Sequence, residues 1–100
     1  MDRPTNLRGP TALALLLGLA GAAHAQGTFE EVRDFGPNPG ALKMWVHRPP
    51  QPATPAGVVV ALHPCTVTAA QFHQNAGWAA LADAHGFYVI YPEQQSANNP

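Results

Sequence analysis

One hundred residues, 46% of them apolar, suit at most one small domain. Five Lys and Arg stand against six Asp and Glu for a net charge of −1, so no polycationic surface exists to track a nucleic acid. A single cysteine excludes an internal disulfide framework.

In chain order, Arg3 and Arg8 precede the apolar run "TALALLLGLAGAA" (11–23), which ends in the small-x-small triplet Ala23-His24-Ala25. A basic start, an apolar stretch and an A-x-A site together read as a secretory signal peptide over residues 1–25, cleaved after Ala25. The run is too short for a stable membrane anchor, since crossing a bilayer takes about 20 apolar residues. The protein is therefore expected to be secreted, either to the periplasm or out of the cell. Residues 26–100 alone give a marginal core, and an unpaired Cys65 in an exported chain suggests either a free thiol or a partner elsewhere. Both point to the front portion of something longer.

The segment "TFEEVRDF" (28–35) alternates imperfectly, and "GPNPG" after it is a turn dense in breakers. "ALKMWVHRP" (41–49) alternates more clearly, with Leu42, Met44 and Val46 on one face and Lys43, Trp45 and His47 on the other. These predict an antiparallel hairpin. "PPQPATPAG" (49–57) holds four prolines in nine residues and predicts an extended connection. Val58 to Leu62 is apolar throughout, which predicts a strand buried on both faces in a parallel sheet.

Thr68 is placed to cap a helical stretch over 69–85, divided near Gly77 and stopped by Gly86. "FYVIY" (87–91) predicts another apolar strand, closed by Pro92. Strand, helix and strand in this order make a βαβ unit with a right-handed crossover. The expected architecture is thus α/β, an antiparallel hairpin leading into a doubly wound sheet.

Ligands in such sheets sit beyond the carboxyl ends of the strands. His63, Pro64, Cys65 and Thr66 occupy one such end, and Glu93 with Gln94 the next. Three chemistries are open to "HPCT". A Cys65 thiolate could attack a carbonyl, but His63 is poorly placed to take its proton and no third orienting group is evident. His63, His73 and His85 match no zinc spacing, so surface roles suit them better and neither metal nor other cofactor is expected. A loop at a strand end can instead aim backbone N–H groups at a developing oxyanion. Trp78 reads as a core anchor, Asp83 as a solvated or capping charge, and Glu93 as either an ordinary loop residue or a substrate contact.

The stretches "ALHPCTVTAAQF", "GWAALADAHGFYVIYPEQQ" and "ANNP" together resemble the secreted esterase family of polyhydroxybutyrate depolymerases and related feruloyl and acetylxylan esterases. The resemblance spans about residues 56–100 and implies an α/β-hydrolase fold with a Ser-Asp-His mechanism on carboxylic esters. It further implies that the Cys65 backbone N–H is an oxyanion donor, that Thr66 lies beside the acyl pocket, and that the Cys65 sulfur pairs with a cysteine absent from this chain. Residues 26–100 would then be the N-terminal portion of an esterase domain whose partner is an ester substrate, either a polyester or a feruloylated polysaccharide. Pro64 departs from the family's glycine, which removes an N–H and fixes φ. The one serine, Ser96, sits in "QQSAN" without the G-x-S-x-G elbow, so the chain as it stands is expected to lack the nucleophile and to be inactive. The alternative is a non-catalytic secreted α/β module or a truncated gene product.

Overall fold

The computed structural model describes residues 1–2 and 24–99. The expected leader, residues 1–25, lies outside them but for its ends. Four strands, β1 (Thr28–Val32), β2 (Lys43–Arg48), β3 (Val58–Val60) and β4 (Tyr88–Glu93), form one sheet of order β1-β2-β4-β3. Two helices, α1 (Ala69–Asn75) and α2 (Trp78–His85), bridge β3 to β4, and a 3-10 turn follows at Ser96–Asn98. No helix of the described residues is long and apolar enough to cross a membrane.

The hairpin is antiparallel, in register from Thr28 opposite Arg48 to Val32 opposite Met44. Asn38 closes its loop: its side chain donates to the Leu42 carbonyl at 2.8 Å and accepts the Leu42 N–H at 3.0 Å. The Asn38 side chain here adds to the backbone bond of the loop, from the Ala41 N–H to the Asn38 carbonyl at 3.1 Å. β2 then pairs antiparallel with β4, and β3 pairs parallel with β4.

Strand alternation decides which face is covered. Trp45 and His47 lie opposite Tyr91 and Val89, and all four point to the side on which Ala69 of α1 and Ala82 of α2 are buried. Val89 and Tyr91 are fully buried there, with Phe29, Val59, Phe72, Trp78 and Phe87 packed around them. Both helices thus cover one face. Alanines at 69 and 82 allow it, because a small side chain lets the helix axis approach the sheet.

Two expectations change. β3 is buried on one face only: Val58 and Val60 remain 58% and 57% exposed, and among the described residues no strand or helix covers their side. A continuous apolar run allows burial on both faces without saying what covers each. β4 also runs through Pro92, which lies opposite Met44, instead of stopping there. The Tyr88 N–H and the Ile90 carbonyl bond toward β3, so the missing N–H of Pro92 faces the side where β3 has already ended. Proline at that position interrupts no ladder bond.

The helix signals hold in detail. Thr68 and Gln71 form a capping box, with Gln71 N–H donating to Thr68 Oγ1 at 3.2 Å and Thr68 N–H to Gln71 Oε1 at 2.9 Å. Gly77 (φ 77°) separates the helices and Gly86 (φ 72°) ends α2, its N–H donating to the Ala82 carbonyl at 2.7 Å. A Cβ on Gly86 would stand 2.6 Å from Ala53 N and 2.8 Å from the Gln51 carbonyl. Gly86→Ala is expected to cost about 1–2 kcal/mol for the left-handed backbone and about 1–3 kcal/mol more for the overlap. Urea unfolding checks this, and a loss below about 0.5 kcal/mol would mean that the proline-rich strap moves aside freely.

Candidate active site

β3 and β4 run parallel, so their carboxyl ends open at the same edge of the sheet. The predicted residues meet there. The Val67 N–H donates to the Pro64 carbonyl at 3.2 Å, which closes Pro64-Cys65-Thr66-Val67 into a β-turn. Thr66, its third residue, has φ 66°. A β-branched residue rarely adopts this conformation, and such strain persists only where surrounding bonds hold it. Asn99 supplies them: its Oδ1 accepts the Thr66 N–H at 2.6 Å and its Nδ2 donates to the Val67 carbonyl at 3.3 Å.

His63 is bound on both nitrogens. Nε2 accepts the Gln94 N–H at 3.0 Å, so Nδ1 carries the proton and donates to the Pro64 carbonyl at 2.9 Å. The imidazole therefore ties the end of β4 to the turn after β3. It has no free nitrogen for the Cys65 thiol, which removes the base that thiol chemistry would need. Cys65 itself is exposed, and its N–H donates to no acceptor among the described residues. Pro64 contributes a carbonyl that accepts twice. Its lost N–H costs the turn nothing, because proline stands at the first turn position.

Glu93 Oε2 accepts the Ala69 N–H at 2.6 Å. The carboxylate thus anchors the first turn of α1, where negative charge is favoured, and fixes α1 to β4 next to the turn. A shallow apolar depression of about 220 Å³, lined by Leu42, Leu62, His63, Pro92 and Gln94, lies alongside. His85 and the other predicted histidines do not converge on His63.

Sequence reasoning missed a second polar cluster on the helix-covered face. His47, 3% exposed, reaches Asp83 Oδ1 with Nε2 at 2.6 Å and His73 Nε2 with Nδ1 at 3.0 Å. Asp83 also accepts the Gly27 N–H with both oxygens at 3.2 Å. Asp83 is therefore no solvated charge. The His73 ring stacks on Phe29 at 4.1 Å, and burial holds its pKa below the ordinary 6.5, with His47 adding to the shift and Asp83 opposing it. The surface role expected for His73 is thereby overturned: position 73 lies four residues after buried Ala69 and His47 two after Trp45, on the sides of α1 and β2 that face each other.

A family model described as Esterase PHB depolymerase matches residues 43–99. The poly(3-hydroxyalkanoate) depolymerase C of Paucimonas lemoignei is 44% identical over 98 residues, covering 98% of this chain and 23% of its own length. The probable acetylxylan esterase A of Aspergillus flavus is 48% identical over 67 residues, 67% of this chain and 22% of that protein. The structure of an acetyl xylan esterase from Aspergillus awamori superposes with a TM-score of 0.69 at 36% identity, over 73% of this chain and 27% of that one. The chain thus spans about a quarter of the length of the relatives it matches. With the α/β sheet, the turn after β3 and these matches in agreement, the chain belongs to the Esterase PHB depolymerase family.

Proposed function

We propose that residues 26–100 form the N-terminal portion of the catalytic domain of a secreted carboxylic-ester hydrolase that follows a serine acyl-enzyme route. The observation that supports it is the Cys65 N–H, which is unengaged within the described residues in an exposed turn at the carboxyl end of β3. In that route a serine oxygen attacks the ester carbonyl and negative charge develops on the carbonyl oxygen. The Cys65 N–H donates to that oxygen, with the amide after the nucleophile as second donor. The turn is rigid because Asn99 and His63 clamp it from two sides, so the donor is oriented before the substrate arrives.

The nucleophile, its histidine and its acid come from sequence other than this chain, since Ser96 lies in a 3-10 turn and not in a strand-to-helix elbow. Thr66 borders the acyl group, and Glu93, besides holding α1, keeps one carboxylate oxygen for the substrate. The Cys65 sulfur pairs with a cysteine outside the chain. The substrate is a polyhydroxyalkanoate or an acyl-substituted polysaccharide, the two classes named by the relatives.

Purified full-length protein is expected to hydrolyse 4-nitrophenyl butyrate with a burst of nitrophenol, and to be inactivated by a serine-directed phosphonate. Comparing release of hydroxybutyrate from polymer film with release of acetate and ferulate from xylan separates the substrate classes. Absence of turnover on all of them would refute the hydrolase. Turnover by the isolated 100-residue chain, lost in Cys65→Ser, would transfer the chemistry to the sulfur.

A further inference from the structure

Four elements meet at a buried polar chain that takes no part in the proposed ester chemistry. Gly27 leads into β1, His47 sits on β2, His73 on α1 and Asp83 on α2. We infer that His73, His47 and Asp83 form an acid-operated latch, which holds α1 to the β1–β2 hairpin near neutrality and releases it when the chain takes up protons.

The proton inventory follows from the bonds. With both rings neutral, one arrangement satisfies every contact: His73 Nε2–H donates to His47 Nδ1, and His47 Nε2–H donates to the Asp83 carboxylate. A first added proton leaves both bonds intact, because the hydrogen between His73 Nε2 and His47 Nδ1 can belong to either ring. A second has no place without a break. On His47 Nδ1 it would set N–H against N–H, and on Asp83 it would remove the charge that receives both His47 and Gly27. The unfolded or opened segment carries no such restriction.

The groups facing His73 are few. From β1 it meets the uncharged Phe29, from β2 His47, from β4 the edge of Tyr91 at 5.5 Å, and from α2 Asp83 by way of His47. Asp83 is the one negative charge among them, and it is already shared. The sign is therefore definite. His73 is harder to protonate folded than unfolded, so its contribution to stability is complete above about pH 6.5 and is lost as the pH falls through its lowered value.

Release has a direction because α1 is short. Four residues separate His73 from Thr68, and Thr68 follows the Pro64–Val67 turn directly. Loosening α1 at His73 frees the helix beyond its cap, while Asn99 and His63 keep the turn itself tied.

Hydrogen exchange of the full-length protein at pH 7.5 and pH 5.5, corrected for the intrinsic chemical rate, tests the latch. Protection of peptides covering 26–32 and 69–76 is expected to fall about 10-fold per pH unit below pH 6.5, one extra proton being taken by the open form, while the peptide over β4 changes less. In His73→Gln position 73 takes no proton and the side-chain amide can donate to His47 Nδ1 or, turned over, accept from it, so the acid slope of both peptides should vanish. Equal protection at the two pH values in the wild type overturns the latch, as does an unchanged slope in His73→Gln. The wild-type comparison stands without the variant should His73→Gln not fold. Exchange is read without turnover, so an acid-labile α1 in a protein that cleaves no ester refutes the hydrolase and leaves the latch. Ester hydrolysis with pH-independent protection does the reverse.

Discussion

With the Cys65 N–H as the proposed oxyanion donor, Cys65→Pro in the full-length protein should lower kcat on a short aryl ester by about 10²- to 10³-fold, the usual cost of one such donor. The substitution suits the test because Cys65 is the second residue of the Pro64–Val67 turn, where proline's fixed φ is favoured. The turn survives and only the N–H is lost. KM should change little, since the ground-state carbonyl makes weaker use of the donor than the tetrahedral intermediate does. Cys65→Ala is the control. It keeps the N–H and should lose less than about 10-fold in kcat, while the loss of the proposed disulfide costs about 2–5 kcal/mol of stability. If Cys65→Ala is as inactive as Cys65→Pro in protein shown to be folded by circular dichroism, the side chain carries the chemistry and the backbone account is wrong.

Asp83→Ala is expected to destabilise the fold by about 2–5 kcal/mol. Two donors lose their acceptor together, the His47 Nε2–H and the Gly27 N–H. Each orphaned donor costs about 1–3 kcal/mol when water cannot replace the partner. His47 is 3% exposed, so water does not reach it from outside, whereas the Asp83 side chain keeps 19% of its exposure and the penalty stays below that of a fully enclosed pair. Asp83→Asn retains one acceptor oxygen and should recover part of the loss. Gly27 limits any rearrangement: a Cβ there would overlap the Arg48 carbonyl and stand 2.6 Å from both Asp83 Oδ1 and His47 Nε2. Equilibrium unfolding in urea at pH 7.5 measures both variants. A change under about 1 kcal/mol for Asp83→Ala would show that solvent enters the cluster and that the hairpin is held by apolar contacts alone.

The two candidate regions differ in how far they could be read in advance. The turn after β3 was legible because its signal is local: an apolar run, a proline and a polar stretch at the end of a parallel strand locate a loop by chain order. The cap on α1 was legible for the same reason, since Thr68 and Gln71 are three residues apart and satisfy each other. Glu93 was ambiguous. A carboxylate after a strand can reach substrate or backbone, and only the position of the Ala69 N–H at 2.6 Å shows where one of its oxygens goes. Asp83 reads as a solvated or capping charge, because nothing near it in the chain calls for a carboxylate.

The sequence by itself determined the element order, the helix boundaries, the breaks at Gly77 and Gly86 and the loop that carries Cys65. Each depends on φ preferences, alternation or capping within a few residues. Tertiary structure alone decided which face of the sheet the helices cover, that β3 keeps an open side, and that His47, His73 and Asp83 meet across 26 and 36 residues of chain. The physical reason is range. Torsional preference and hydrophobic period act between neighbours, whereas the partner of a buried donor is chosen by packing, which brings whichever distant group the fold can place within 3 Å.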